Sequence, residues 1–263
     1  YSRNESNLNQ NISTADIQLQ HSIHLNERNN FVWGAGARLI YENLNGTFSA
    51  SVNDRYAIHN ILNVFAQDEY ALIKDKLYLT LGSKFEHNNL SGFEIQPSTR
   101  LAWHPTHSQT VWGAVSRAVR TPSSIENDVN ILGSVTATAP LTESRIFGNP
   151  NQKSEELIAY ELGHKIQVTH TLSFDTAVFY NDFDNLQTIG SPGASFVGSN
   201  GNTILPYTLN NLGSGKVYGA EVASSWSMTP NWKLAGSYSY LIMELDVKPG
   251  TATTLESGEE LAP

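Results

Sequence analysis

Residues 172–188 read LSFDTAVFYNDFDNLQT. Leu172, Phe174, Thr176, Val178 and Tyr180 interleave with Ser173, Asp175, Ala177, Phe179 and Asn181. A period of two belongs to an extended chain, whose successive side chains point to opposite faces of a sheet. The segment therefore predicts a strand with one apolar and one polar face.

The same alternation recurs on both sides. Leu77, Leu79 and Leu81 interleave with Tyr78, Thr80, Gly82 and Lys84; Ile95, Thr99, Leu101 and Trp103 interleave with Glu94, Gln96, Ser98 and Arg100. About ten strands are predicted, over 14–25, 31–42, 57–73, 77–87, 94–104, 110–120, 154–168, 171–186, 208–227 and 232–246. Most are longer than the five or six residues usual in soluble sheets. Each supplies the roughly 9–11 residues that a tilted strand needs to cross a bilayer.

The connections discriminate further. Short ones around 26–30, 74–76, 105–109, 169–171 and 229–231 alternate with longer ones at 43–55, 88–93, 121–153 and 188–207. In an up-and-down meander successive connections fall at opposite ends, so one end holds tight turns and the other all the elaboration. Transmembrane β-barrels have that asymmetry. A soluble sandwich, whose Greek-key crossings mix the two, is the competing architecture. Trp33, Trp103, Trp226, Trp232 and Tyr240 near strand ends suit interfacial girdles.

Composition agrees. Tyr, Phe and Trp number 11, 10 and 5, which favours strands over a helical bundle. No cysteine is present, so disulfides and thiolate metal sites are excluded. A net charge of −9 argues against nucleic acid as a partner. No run of about 18 apolar residues exists for a membrane-crossing helix, which leaves a strand-built membrane protein open.

The stretch VSRAVRTPSS at 115–124 sets a further problem. With Val111, Val115 and Val119 facing lipid, Arg120 faces the lumen near the mouth, whereas Arg117 shares the valine face. Spacing three cannot put both on one side. Arg117 is expected either at the headgroup rim or turned inward by a bulge. Pro122, lacking an N–H, ends the ladder and opens the long loop 121–153.

Taken together, LTLGSKFEHN at 79–88, GFEIQPSTRLAWHPTHSQTVWGAVSRAVRTPS at 92–123, ELIAYELGHK at 156–165, LSFDTAVFYNDFDNLQT at 172–188 and GKVYGAEVASSW at 215–226 occur in one order and spacing. This series resembles the β-barrel of TonB-dependent outer-membrane receptors. The resemblance implies an all-β, antiparallel up-and-down transmembrane β-barrel, with residues 1–263 an incomplete piece of about ten strands. The family's barrel has about 22 strands, so the plug domain, the TonB box and the remaining strands are expected outside this sequence. It further implies the outer membrane of a Gram-negative bacterium and energised uptake of a scarce nutrient, a ferric siderophore foremost. The implied partners are a ferric siderophore or similar metal chelate, the TonB complex acting through the plug, and the lipid bilayer. A passive porin without energy coupling is the alternative.

The candidate substrate residues are Arg120, Arg145, Phe147, Phe196 and Tyr207. Aromatics and arginine at a barrel mouth suit an aromatic, anionic chelate through stacking and charge-assisted hydrogen bonds. Arg100, Glu161 and Glu221 are expected on the lumen wall, in contact with the plug. No catalytic residue, cofactor or resident metal is expected. GSGK at 213–216 lacks the glycine and hydroxyl of a phosphate loop, and the eight histidines form no HExxH. Asp182 and Asp184 share a face but give too few oxygens for calcium; a strand emerging from the membrane explains them better.

Overall fold

The computed structural model describes residues 2–4, 8–136, 141–252 and 258–262. The chain begins with β1 (Ser2–Asn4), β2 (Leu8–Asn26), β3 (Asn29–Gly46), the short β4 (Ala50–Val52), β5 (Tyr56–Ile73), β6 (Leu77–Asn88), β7 (Gly92–Thr106) and β8 (Gln109–Arg120). One helical turn, α1 (Ser124–Asp128), leads into β9 (Val129–Val135) and β10 (Thr142–Phe147). Then follow β11 (Glu155–Gln167), β12 (Leu172–Ile189), β13 (Phe196–Val197), β14 (Thr203–Thr229), β15 (Trp232–Val247) and β16 (Gly258–Ala262).

Twelve of these form one antiparallel wall, in the order β1-β2-β3-β5-β6-β7-β8-β11-β12-β14-β15-β16. The other four, β4, β9, β10 and β13, build a cap with the start of β14. The architecture is the predicted all-β meander, with more strands than the alternation alone predicts. The extra ones are β1 and β16 at the two ends of the wall, which pair with β2 and β15, and the short β4, β9, β10 and β13 inside the connections, which pair with one another and with the start of β14.

β2, the first of the predicted strands, starts at Leu8, six residues earlier than expected, because LNQNIS pairs with the far end of β3 as far as Gly46 despite its polarity. The β6–β7 connection is also corrected. It lies at the long-loop end yet contains only residues 89–91. Asn88 Oδ1 accepts the N–H groups of Leu90 and Ser91 at 2.9 and 2.7 Å, and Gly92 takes φ 84, closing a tight turn.

Register fixes the faces. Leu81, Val115, Leu162, Val178 and Leu234 all stand exposed on the outer face. Inside, glycine and aromatic residues interlock: the Trp112 indole lies across Gly163, and Phe179 lies against Gly219. A tyrosine row marks the outer face toward the cap, with Tyr160–Tyr180 and Tyr180–Tyr218 each 6.2 Å apart. Beyond it stand charges. Asp182 opposes Lys216, and Lys248 Nζ donates to Asp184 at 3.2 Å. Tyrosine at the interface with charge beyond it is the order expected where a strand leaves the hydrocarbon.

Arg117 also belongs to this rim, and no bulge turns it. It sits opposite Ile158 on the outer face, yet its Nη2 lies 3.0 Å from Glu156 and 3.7 Å from Glu94. The β7–β8 ladder stops at Ser98–Ser116, beside Pro97, which has no N–H to continue it. Arg117 Nη1 donates to the carbonyl of Ile95 in the gap this leaves. The arginine gives the Ile95 carbonyl the donor that a β8 backbone N–H would have supplied had the ladder continued.

Candidate functional site

The cap follows from pairing within the long connections. β10 runs parallel to the start of β14, Thr142 opposite Thr203 through Phe147 opposite Thr208. It is antiparallel to β9, which in turn pairs with β4. In this register Glu143, Arg145 and Phe147 share one face, together with Ile204 and Pro206.

Between these strands and the 196–200 segment lies a recess of about 450 Å³. Phe48, Asn130, Arg145, Phe147, Phe196 and Asn200 are among its walls. Its floor is an ion pair. Arg145 Nε donates to Glu143 Oε2 at 2.7 Å, and Nη1 to Asn130 Oδ1 at 3.0 Å. Glu143 Oε1 accepts from Asn202 at 2.7 Å and Asn200 at 2.8 Å. Glu143 is 1% exposed and Arg145 7%. The bonds from Asn202, Arg145 and Asn200 outweigh burial and hold the Glu143 carboxyl at about 2. This cluster ties the segment around Asn200 to β10. The rim is apolar: Phe48 is 67% exposed and Phe196 48%, and the Arg145 guanidinium lies 5.1 Å from the Phe48 ring centroid.

Of the five candidate substrate residues, Arg145, Phe147 and Phe196 line this recess together. Tyr207 is opposite Ile146 and so points to the other face of the cap sheet. Arg120 lies apart at the end of β8. Its Nε donates to Glu155 at 2.8 Å, Nη2 to Glu126 at 2.9 Å and Nη2 to Gln187 at 3.3 Å. Glu126 closes a capping box with Ser123. Burial pushes its carboxyl up, but the bonds from Arg120 and Ser123 bring it below the usual carboxylate range. Arg120 therefore fastens α1 to the wall.

On the lumen wall Arg100 stacks 4.5 Å from the Trp112 ring centroid. Arg100 and Glu161 both oppose Ala114, one from each side, and Glu221 opposes Ala177. All three face the interior.

Sequence reasoning missed Glu143, Asn130, Asn200 and Asn202. The spacing of Glu143 and Arg145 in TESRIF, two apart in an extended run, was the signal available. The assembled groups can bind and orient an aromatic ligand. Among the described residues no cluster of three or more histidine and carboxylate groups is disposed to hold a metal ion.

Residues 1–262 match the family model for the TonB dependent receptor-like β-barrel. The chain belongs to this family. Its members are transport receptors, and the protein lies in the outer membrane of a Gram-negative bacterium. A curated relative, an iron-regulated outer membrane virulence protein of Vibrio cholerae, is 29% identical over 203 residues, covering 76% of the chain. The chain spans 30% of that protein's length. Among solved structures, a mutant ferric enterobactin receptor of Pseudomonas aeruginosa in complex with enterobactin superposes with a TM-score of 0.71 at 19% identity, over 92% of this chain and 40% of that one. The siderophore receptor PirA of Acinetobacter baumannii gives 0.69 at 15% identity, over 93% and 38%. At these identities the likeness is one of fold.

Proposed function

We propose that residues 1–263 form part of a larger receptor barrel that takes up a ferric siderophore. In this reading a plug domain outside the sequence fills the lumen, touching Arg100, Glu161 and Glu221, and couples to the TonB complex. The recess on the cap carries the proposal. An aromatic rim of Phe48, Phe147 and Phe196 surrounds a fixed guanidinium, which suits a planar, anionic metal chelate. Glu143 holds Arg145 in place and balances its charge, so the aromatic residues supply most of the contact energy and Arg145 supplies orientation. Arg120 and Tyr207 belong outside this contact set, the first as an anchor and the second on the opposite face.

The test uses the full-length receptor. Ferric siderophores of catecholate and hydroxamate type are titrated by quenching of intrinsic fluorescence, with radioiron uptake measured in parallel. Phe147→Ala and Phe196→Ala are expected to weaken binding roughly tenfold or more each. Uptake is expected to cease when TonB is deleted. If no ferric chelate binds, the substrate assignment fails; if uptake survives without TonB, the barrel is passive.

A further inference from the structure

The recess on the cap is bare of free charge. Beside β10, the segments that wall it are 43–53, 129–136 and 188–207, and they contain no lysine, arginine, histidine, aspartate or glutamate. Among the lining residues only Glu143 and Arg145 are ionic, and they close on each other. Both carboxylate oxygens of Glu143 are engaged, Oε2 by Arg145 and Oε1 by Asn200 and Asn202. A carboxylate enclosed in this way keeps its charge and has no freedom to swing aside when a ligand arrives. Arg145 is equally fixed, by Glu143, by Asn130 and by the Phe48 ring.

A guanidinium held against a carboxylate presents a ligand with a dipole, not a net charge. Its pull on an anion falls off faster with distance than that of a lone arginine, because each negative charge on the ligand meets Glu143 as well as Arg145. Other cations toward the mouth are committed elsewhere: Arg120 to Glu126 and Glu155, Arg117 to Glu156, and Lys248 to Asp184. The chain carries a net charge of −9, so its long-range field repels an approaching anion. What the recess offers in quantity is uncharged, the rings of Phe48, Phe147 and Phe196 with the aliphatic side chains of Val197 and Ile204.

We propose that the recess selects its ligand by charge, taking an aromatic ferric chelate of little or no net charge and rejecting polyanionic ones, with Glu143 as the residue that sets this preference. This rests on the reading of the recess as a siderophore site and narrows it. Desolvating a polyanion costs more than desolvating a neutral complex of equal size, and here no uncompensated cation offsets that cost. A neutral aromatic complex loses little on leaving water and gains the full contact with the rings.

The test uses the full-length receptor in lipid nanodiscs and two synthetic tripodal chelators built on one scaffold. One carries three catechols and gives a trianionic ferric complex. The other carries three hydroxypyridinones and gives an uncharged ferric complex of nearly the same size and shape. Affinities are read from quenching of intrinsic fluorescence, and the uncharged complex is expected to bind at least about tenfold tighter. Val197 stands at the rim, 73% exposed, where a longer side chain reaches into solvent. Val197→Lys should shrink the ratio of the two affinities at least about fivefold, and Glu143→Gln should shift it the same way. If Glu143→Gln loosens the cap, Val197→Lys carries the test alone. If neither complex binds, the siderophore reading itself fails and the charge preference with it. If both bind with the trianion equal or tighter, or if the ratio stays fixed in Val197→Lys, the charge preference alone is overturned. A ratio unmoved in a folded Glu143→Gln would strip Glu143 of its part.

Discussion

The indole of Trp112 lies flat across Gly163, the residue directly opposite it on the adjoining strand. A Cβ on Gly163 would run into the ring, so the aromatic lies flat only while that position has no side chain. Gly163→Ala is expected to tilt Trp112 off the wall, free the Arg100 guanidinium stacked on it, and destabilise the barrel by about 1–3 kcal/mol. Tryptophan emission and the thermal midpoint of the full-length receptor check this. An unchanged emission maximum would mean the ring has another place to rest.

Glu143 and Arg145 make a second testable pair. Arg145→Ala strands a buried carboxylate and should cost about 3–5 kcal/mol of local stability, whereas replacing both by apolar residues of similar size should cost much less. Limited proteolysis of the cap distinguishes the two variants: the single substitution should be cut faster. Equal rates would mean that the ion pair does not organise the cap.

Acid tests the same carboxylate independently. Because Glu143 is held at about 2, well below its unfolded value of about 4.3, its contribution is fully present above pH 5. It is lost progressively as pH falls from about 4.3 toward 2. Protease sensitivity of the cap should rise over that window in wild type and much less in Glu143→Gln. A flat wild-type profile would remove Glu143 from the cap's acid response.

The register of β12 predicts a labelling pattern. Single cysteines from 173 to 180 in the full-length receptor should react alternately, a lipophilic maleimide marking 174, 176, 178 and 180 and a polar one marking the odd positions. Uniform labelling would contradict the two-faced wall.

The wall was legible in the sequence because alternation is imposed on every residue that separates hydrocarbon from interior. Loop asymmetry was legible for a similar reason, with one misreading at 88–93, where three residues and a glycine suffice. The cap was not. Its strands owe their existence to pairing among segments far apart in the chain, such as Asn53 with Asp128 and Glu143 with Asn202, and no periodicity marks such partners. Arg145, Phe147 and Phe196 could be singled out by residue type, since arginine and aromatics in polar loops are conspicuous. That Tyr207 faces away and that Arg120 serves as an anchor depend on register and on Glu126, Glu155 and Gln187, which composition cannot supply. The role of Arg117 turned on Pro97, twenty residues upstream, whose missing N–H matters only once β7 and β8 are neighbours.

β14 runs unbroken for 27 residues, about 90 Å at roughly 3.3 Å per residue. Its first six residues are stitched to β10 in the cap, and the remainder is stitched to β12 and β15 in the wall. Mouth and membrane span thus share a single continuous strand, whose ladder with β12 shifts register around residues 210–215, where cap passes into wall. A load placed on the recess at Ile204 is carried axially toward the tight turn at residues 230–231, so the cap is a cantilever of the barrel, and stiffening or shortening β14 would retune both at once.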